Sequence, residues 1–552
     1  MDPINRTYAP VRAFVEELVR CGLRHAVTCP GSRNAPIALT LAAQEGLEAI
    51  SVIDERCAGF VALGMAKASG LPVAVTCTSG TAAANLHPAV VEAWEARVPL
   101  LVLTADRPPE LREVGAGQAI DQTRLYGSAA KWFVDVGTHE PSRATAIHHR
   151  ALACRAYWTA AGGRPGPVHL NFPLRDPLAP LAEELEPREW EGRADGRPWT
   201  RVRGQSRAPQ ADDIQHLAAR VATNPRGAIV CGPTAERIAE PAARLAARCG
   251  WPLLAEPTSG LRCGEHDRSH VVAHYDVLLS IEEFASAHRP GLVLRVGDMP
   301  SSKPLRAWLS DAPQVVLDPD AAWHEPTRHA ELILECAAAP ALDALASALE
   351  MRTVERDSQW LSSWRSADAQ APRALAAAPD LFEPKLLAAL EPELPDGALV
   401  WVSSSMPIRD VESWFPQSPK DLLFLANRGA NGIDGGVSSA LGAALASGRP
   451  TWLLTGEIAL LHDVGGLLAT RRAGVDLKVF CLDNGGGGIF DFLPVAEYAD
   501  RGAYEEHVAT PPGIDVEAIV GAAGRVRVVR TDRRENVRLH REAVARVAQS
   551  LV

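Results

Sequence analysis

"LGMAKASGLP" (63–72) returns as "LGAALASGRP" (441–450), and the two stretches are identical at seven of ten positions. A second match follows at nearly the same separation, since "LLVLTADR" (100–107) aligns with "LKVFCLDN" (477–484) at an offset of 377 residues, against 378 for the first. Each half reads as a helix, a glycine turn, a strand, a helix and a strand that ends in a polar residue. Similarity between alanine-rich helices would explain the first match alone. The second match favours duplication of one α/β domain.

Short β-type runs alternate with alanine- and leucine-rich helical stretches over most of the chain. This alternation is typical of α/β folds, because a parallel strand needs a crossover, usually a helix, to bring the chain back. The predicted strands lie at 25–29, 73–77, 100–105, 227–232, 292–297, 398–403, 451–454 and 477–482. We expect three doubly wound α/β domains with parallel sheets, the first and third being duplicates.

Two breaks interrupt this series of strands and helices. The first is polar and proline-rich, at about 177–212, and the second is alanine-rich, at about 337–384. A chain of 552 residues is also too long for one hydrophobic core. The breaks predict domains at 1–185, 200–345 and 375–552, of which the middle one lacks the repeat.

The composition excludes some classes of partner. A formal net charge of -11 argues against a nucleic-acid or membrane-surface role, because either would need a basic face. No apolar run approaches the roughly 20 residues of a membrane span, and the charged N-terminus does not resemble a signal peptide. The 10 cysteines are scattered singly, which is typical of reduced, mostly buried thiols in a cytoplasmic protein.

"CLDNGGGGIF" (481–490) places polar residues and four glycines directly after a predicted strand. Glu457 follows the preceding strand, 27 residues before Asn484, so one strand–helix–strand unit separates them. Parallel α/β sheets bind ligands at this edge. Carboxylate, amide and carbonyl oxygens suit Mg²⁺, and N–H groups at a glycine turn suit phosphates. A flexible loop would also explain a glycine run; the context favours a diphosphate with its metal.

This pattern resembles the diphosphate and metal signature of thiamine-diphosphate enzymes, whose pyrimidine-binding and diphosphate-binding domains are copies of one α/β fold. The family's usual ligand is Asp, whereas Glu457 stands here, and the extra methylene shifts the carboxylate by roughly 1.5 Å. The usual Asn–Asn pair is Asp483–Asn484. The resemblance implies Mg²⁺ or Mn²⁺ held by Glu457, Asn484 and Gly486. It implies a cofactor site formed by Glu55, Gly456, Glu457, Ile458, Asn484, Gly486 and Gly487.

A closer resemblance, over nearly the whole chain, is to the menaquinone-pathway carboligases of this family. It implies that the substrates are 2-oxoglutarate and isochorismate. It also implies a homodimer or homotetramer with the active site between chains, the pyrimidine-binding domain of one chain facing the diphosphate-binding domain of the other. The stretches that carry it are "CPGSRNAP" (29–36), "IDERCAGFVALGMAKASG" (53–70), "TSGTAAANLHPAVVEA" (78–93), "ADRPPEL" (105–111), "GPVHLNFPLRDPL" (166–178), "NRGANGIDG" (427–435) and "GGGIFDFLP" (486–494).

Three residues are candidates for catalysis. Glu55 opens a helix, where a glutamate ordinarily complements the helix dipole. The resemblance implies instead a carboxylate on the aminopyrimidine ring of the cofactor, which promotes loss of the thiazolium proton. Gln118 and Arg33 resemble the family's polar residues near the reacting centre.

Both implied substrates are dianions, which guanidinium and ammonium groups bind well. A lone arginine is ordinarily a solvated surface residue. The positions below match the family pattern in loops after strands, with Lys303 contributed by the middle domain and Ile489 and Phe490 forming an apolar wall. The substrate-binding candidates are Ser32, Arg33, Arg107, Lys303, Ser405, Arg409, Arg428, Ile489 and Phe490.

Three alternatives remain open. One is another thiamine-diphosphate carboligase or decarboxylase, such as an acetolactate-synthase relative. Another is a non-catalytic paralogue whose metal site is altered by Glu457. A nucleotide-binding dehydrogenase would need G-x-G-x-x-G after a strand, which "VCGPTAER" (230–237) does not supply.

Overall fold

The computed structural model describes residues 5–183, 185–204, 207–520 and 525–551. The first of its three parallel sheets is built from β1 (His25–Thr28), β2 (Glu48–Ser51), β3 (Val73–Cys77), β4 (Leu100–Asp106), β5 (Trp132–Asp135) and β6 (Val168–Pro173). The strand order is β2-β1-β3-β4-β6-β5. Its helices are α1 (Tyr8–Cys21), α2 (Ala35–Ala43), α3 (Glu55–Ser69), α4 (Thr81–Asn85), α5 (His87–Glu95), α6 (Arg143–Ala161) and α7 (Pro187–Trp190).

The second sheet is built from β7 (Gly227–Cys231), β8 (Leu253–Ala255), β9 (Val271–Val272), β10 (Leu292–Val296), β11 (Gln314–Leu317) and β12 (Ala330–Leu334). The strand order is β12-β11-β10-β7-β8-β9. The helices that follow in this part of the chain are α8 (Ala211–Ala222), α9 (Ala239–Cys249), α10 (Tyr275–Leu279), α11 (Glu282–Ala287), α12 (Lys303–Leu309), α13 (Ala338–Glu350), α14 (Trp360–Asp368) and α15 (Gln370–Ala376).

The third sheet is built from β13 (Leu399–Val402), β14 (Leu423–Leu425), β15 (Thr451–Gly456), β16 (Leu477–Asp483) and β17 (Val526–Arg530). Its order, β14-β13-β15-β16-β17, repeats the β2-β1-β3-β4 order of the first sheet. Its helices are α16 (Glu383–Ala388), α17 (Met406–Trp414), α18 (Gly436–Ser447), α19 (Glu457–His462), α20 (Val464–Ala473), α21 (Val495–Tyr498), α22 (Arg501–Tyr504), α23 (Val516–Val520) and α24 (Arg533–Ser550).

Each sheet is buried on both faces, as the apolar strand sequences predict. In the first sheet, Val75 and Val102 belong to one hydrophobic cluster, while Ala74 and Leu101 belong to another. Successive side chains of a strand point to opposite faces, so these two clusters are the two sides of one sheet. All eight predicted strands are present, and the predicted fold class of three parallel-sheet α/β domains is confirmed.

The two copies of the repeat pack against each other through α3 and α18. A Cβ on Gly64 would lie 1.9 Å from the carbonyl oxygen of Ser439, and one on Gly442 would lie 2.0 Å from that of Val61. The offset of 378 residues relates Gly64 to Gly442 and Val61 to Ser439. The contact is therefore made twice by equivalent residues, which is the pattern of a two-fold interface between copies of one domain.

The predicted domain limits cut across packed helices. Helix α13 continues past residue 345 and packs on the second sheet. Helices α14 and α15 pack in the hydrophobic cluster that also contains Leu539 and Ala543 of α24. The limits remain a prediction. Within the described ranges, no helix is long and apolar enough to cross a membrane.

Candidate active site

A cavity of about 930 Å³ opens at the carboxyl ends of β15 and β16. Its lining comes from all three sheet regions, with Lys67 and Arg97 from the first and Arg306 from the second. The sequence-predicted residues that line it are Ser405, Arg409, Arg428, Gly456, Glu457, Ile458, Asn484, Gly486, Gly487, Ile489 and Phe490. The cavity therefore joins the predicted diphosphate and metal residues to part of the predicted substrate set.

Glu457 bridges the ends of two neighbouring strands. It begins α19 directly after β15, is 1% exposed, and its Oε1 accepts a 2.6 Å hydrogen bond from Gly486 N, beyond β16. Burial raises the pKa of the Glu457 carboxyl to about 7, and the nearby Asp483 charge adds to the rise. The longer side chain thus reaches the glycine turn, and its carboxyl group stands at the cavity wall.

Asn484 presents an oxygen without a partner. Its Nδ2 donates to Glu383 Oε1 at 3.1 Å, whereas its buried Oδ1 has no hydrogen-bond partner in the described structure. Glu383 Oε1 also accepts from Thr531 Oγ1 at 2.8 Å, and burial raises the pKa of Glu383 to about 8. A buried, unpaired oxygen is costly unless a ligand satisfies it. Together with Glu457, this donor set fits a hard cation such as Mg²⁺.

The four glycines are required by the turn's own geometry. Gly485 and Gly486 have φ angles of +78° and +142°. A Cβ on Gly487 would lie 2.6 Å from the Phe490 ring, and one on Gly488 would lie 2.7 Å from Asn484 Nδ2. Their N–H groups are also engaged: Gly486 N donates to Glu457, Gly487 N to Ala509 O, and Gly488 N to Gly486 O. The expectation of three free N–H donors for phosphate does not hold in this conformation, because the chain itself accepts them.

A group of arginines converges on the same cavity. Arg409 Nη1 donates to Ser405 O at 2.5 Å, and Arg428 Nη1 lies 3.4 Å from Ser404 Oγ. Burial lowers the pKa of both Arg409 and Arg428, and the charge of Arg306 lowers both further. Positive charges that repel one another in a part-buried pocket bind an anion favourably. This cluster can therefore hold the carboxylates of a dianionic substrate.

Two residues of α12 differ from expectation in their placement. Lys303 is the first residue of the helix and is exposed, outside the cavity lining. Arg306 lies about one turn later and does line the cavity. Sequence reasoning missed Arg306, although a basic residue three positions after Lys303 on the same helix was the available signal. It also missed Glu383, whose partner Asn484 is 101 residues away in sequence.

A second group of predicted residues lies in the first domain. Arg107 donates to Ser79 Oγ at 3.0 Å and to Gly117 O at 2.9 Å, while Gln118 Nε2 donates to Ser79 O at 2.9 Å. Arg33 donates to Leu174 O at 2.8 Å, and its pKa is lowered by burial and by the charge of Arg107. Gln118 has a φ of +59°, a strained value for a residue with a side chain. These are features of a second, unfilled anion site.

Glu55 is also in the first domain. It is the first residue of α3, half-buried, and burial raises the pKa of its carboxyl group. Neither Glu55 nor the exposed Ser32 lines the cavity, and Arg33, Arg107 and Gln118 do not line it either. Within the described part of one chain, the predicted site is therefore divided into two groups.

The chain matches two known domain families. Residues 11–125 match the family described as thiamine pyrophosphate enzyme, N-terminal TPP binding domain. Residues 411–552 match the family described as thiamine pyrophosphate enzyme, C-terminal TPP binding domain. The two matches cover the first and third sheets, which carry the repeat.

Curated relatives align with almost the full length of the chain. The proteins from Myxococcus xanthus and Geobacillus thermodenitrificans are 43% and 42% identical to it, over 98% of this chain and 97% and 96% of their own. A protein from Chloroflexus aurantiacus is 42% identical over 92% of this chain and 86% of its own. All three are named 2-succinyl-5-enolpyruvyl-6-hydroxy-3-cyclohexene-1-carboxylate synthase.

Proposed function

Because this chain belongs to the 2-succinyl-5-enolpyruvyl-6-hydroxy-3-cyclohexene-1-carboxylate synthases within the thiamine pyrophosphate enzymes, we propose that it joins 2-oxoglutarate, after loss of carbon dioxide, to isochorismate. The predicted family is confirmed, and the protein is a carboligase of the transferase class. The observation that carries the choice of substrates is the repelling cluster of Arg306, Arg409 and Arg428 beside Glu457 and Asn484.

When bound, thiamine diphosphate supplies the electron sink for the decarboxylation. Asn484 Oδ1 and the Glu457 carboxylate would hold Mg²⁺ or Mn²⁺. Ile489 and Phe490 line the cavity as an apolar wall that excludes water from the reacting carbon. The arginines orient the substrate carboxylates, so that the keto carbon is presented in one direction.

Glu55 acts on the pyrimidine side of the cofactor in this proposal. A half-buried carboxyl group with a raised pKa can hold a hydrogen bond to a ring nitrogen without being fully solvated. Its group of residues lies apart from the cavity within one chain. We therefore infer a homodimer or homotetramer, in which Glu55, Arg33, Arg107 and Gln118 of one chain complete the cavity of its partner.

The proposal includes a cytoplasmic location. All ten cysteines are free and buried, which suits a reducing compartment. The net charge of -11 gives no attraction to anionic membrane surfaces or nucleic acid. Cell fractionation with an antibody to the native protein tests this part, and a membrane-associated pool would contradict it.

The deciding assay is isochorismate consumption by the purified protein with 2-oxoglutarate, thiamine diphosphate and Mg²⁺, each omitted in turn. We expect consumption only in the complete mixture. Consumption that continues when pyruvate replaces 2-oxoglutarate would identify a different carboligase. A folded protein that binds the cofactor but consumes no isochorismate would overturn the proposal.

A further inference from the structure

The segment that carries Arg428 is held by a side chain of another domain. Glu92 lies on α5, and its carboxylate accepts two successive backbone hydrogen bonds beyond Arg428. Gly429 N donates to Oε1 at 2.9 Å, and Ala430 N donates to Oε2 at 2.6 Å. The Glu92 side chain is 4% exposed. A buried carboxylate with two N–H donors is a strong, charge-assisted attachment.

Lys67 attaches the same segment on its other side. Its Nζ donates to the carbonyl oxygen of Ala426 at 2.6 Å and to Glu92 Oε1 at 3.2 Å. Lys67 lies on α3, so two helices of the first domain hold the backbone before and after Arg428. We name this arrangement the Lys67–Glu92 clamp.

The clamp leaves little room for the segment to shift. A Cβ on Gly429 would lie 2.7 Å from both Ala96 N and the carbonyl oxygen of Glu92, so the backbone is in direct contact with the end of α5. The Arg428 side chain, in contrast, makes only a 3.4 Å hydrogen bond to Ser404 Oγ among the described contacts. The position of its guanidinium group therefore depends on the backbone that carries it.

We propose that Lys67 and Glu92 are positioning residues that fix Arg428 for binding an anionic substrate. The inference rests on the proposed function, because it takes Arg428 as a substrate-binding group. Without the clamp, the segment must be ordered by the substrate itself, and that ordering cost weakens substrate binding. Cofactor binding, at Glu457 and Asn484, does not depend on this segment.

A purely structural salt bridge predicts something different. Breaking a buried ion pair leaves an uncompensated charge and destabilises the whole protein. Cofactor affinity, substrate affinity and turnover would then fall together. A positioning role predicts a selective rise in the KM for a dicarboxylate substrate, with kcat and the Kd for thiamine diphosphate preserved.

The test compares Glu92→Gln with Glu95→Gln, which makes the same charge change on the same helix at a residue outside the clamp. We expect Glu92→Gln to raise the KM for isochorismate or for 2-oxoglutarate at least tenfold, with kcat and the cofactor Kd within about threefold of wild type. Hydrogen exchange should also quicken at Gly429 and Ala430 in Glu92→Gln alone. Lys67→Met is the second variant, and it should raise the same KM by a smaller factor.

The possible failures are distinguishable. Equal KM values and equal exchange rates in Glu92→Gln and Glu95→Gln would overturn the clamp and leave the proposed function intact. A joint loss of cofactor binding, turnover and thermal stability in both clamp variants would show a structural role and also overturn it. If wild type consumes no isochorismate, the proposed function fails, and the role of the clamp in substrate binding fails with it.

Discussion

Glu457 gives the metal site a dependence on pH. Its buried carboxyl has a pKa of about 7, so a proton competes with the cation below that pH. We expect the affinity for Mg²⁺ with thiamine diphosphate to rise about tenfold per pH unit up to roughly pH 7 and to level off above it. Titration of cofactor binding between pH 5.5 and 8.5 measures this directly.

The matched variant for that titration is Glu457→Gln. An amide has no proton to lose in this range, so its weaker metal binding should not vary with pH. Glu457→Asp restores the family's usual carboxylate and, being shorter, loses reach toward Gly486 N. A wild-type affinity that is constant across the range would contradict the assignment of Glu457 as a ligand.

Glu55 is expected to act in catalysis without contributing to the fold. Its helix is capped by Asp54, which accepts from Arg56 N at 2.9 Å, so Glu55→Gln leaves the helix start intact. We expect turnover to fall by about 10²–10⁴ while the circular dichroism spectrum and the cofactor Kd stay close to wild type. Near-normal turnover of Glu55→Gln would exclude the predicted role.

At the scale of elements, the contact of α3 with α18 depends on glycine. A Cβ at Gly442 would lie 2.0 Å from the Val61 carbonyl oxygen, so Gly442→Ala must push the two helices apart. We expect a loss of about 1–3 kcal/mol in the free energy of unfolding, measured by denaturant titration. Gly204→Ala is the control, since its Cβ would meet nothing within 4 Å. Equal stability of the two variants would show that the helix pair adjusts freely.

The pairing of α3 with α18 also gives one element two functions. Glu55 stands at the start of α3, and Lys67, near its end, contacts the segment of Arg428. In the proposed oligomer these two residues serve different active sites, because Glu55 faces the partner's cavity. A shift of α3 is therefore expected to affect both sites.

At the scale of the molecule, a site shared between chains predicts complementation. Glu55→Gln and Arg409→Ala should each be nearly inactive alone. A hybrid dimer has one site with both defects and one site with neither, so an equal mixture that exchanges chains freely should recover about a quarter of wild-type activity. Activity is measured after chains are mixed under dissociating conditions and returned to native buffer.

A chain that carries both substitutions is the control for that mixture. It places a defect in every site, so mixing it with either single variant restores nothing. A mixture of the two single variants that stays inactive after verified exchange would argue for a site within one chain, as would full activity of a monomer.

The strands, the repeat and the edge where Glu457 meets the turn after β16 were predictable from the sequence. Each depends on neighbours within about 30 residues, such as apolar runs, glycine turns and one strand–helix–strand unit. The placement of Glu383 beside Asn484 and of Glu92 beside Gly429 was not, because those partners are 101 and 337 residues apart. No local pattern marks a glutamate that will bond so distant a backbone.

By itself, the sequence determined the α/β class, the duplicated domain and the diphosphate edge, since hydrophobic periodicity and chain order decide which strands form and which ends they share. Only the tertiary structure decided which acceptors the glycine N–H groups use, which arginines converge, and that Glu55 lies apart from Glu457 within one chain. Those outcomes depend on how whole layers pack, and packing brings together groups that are distant along the chain.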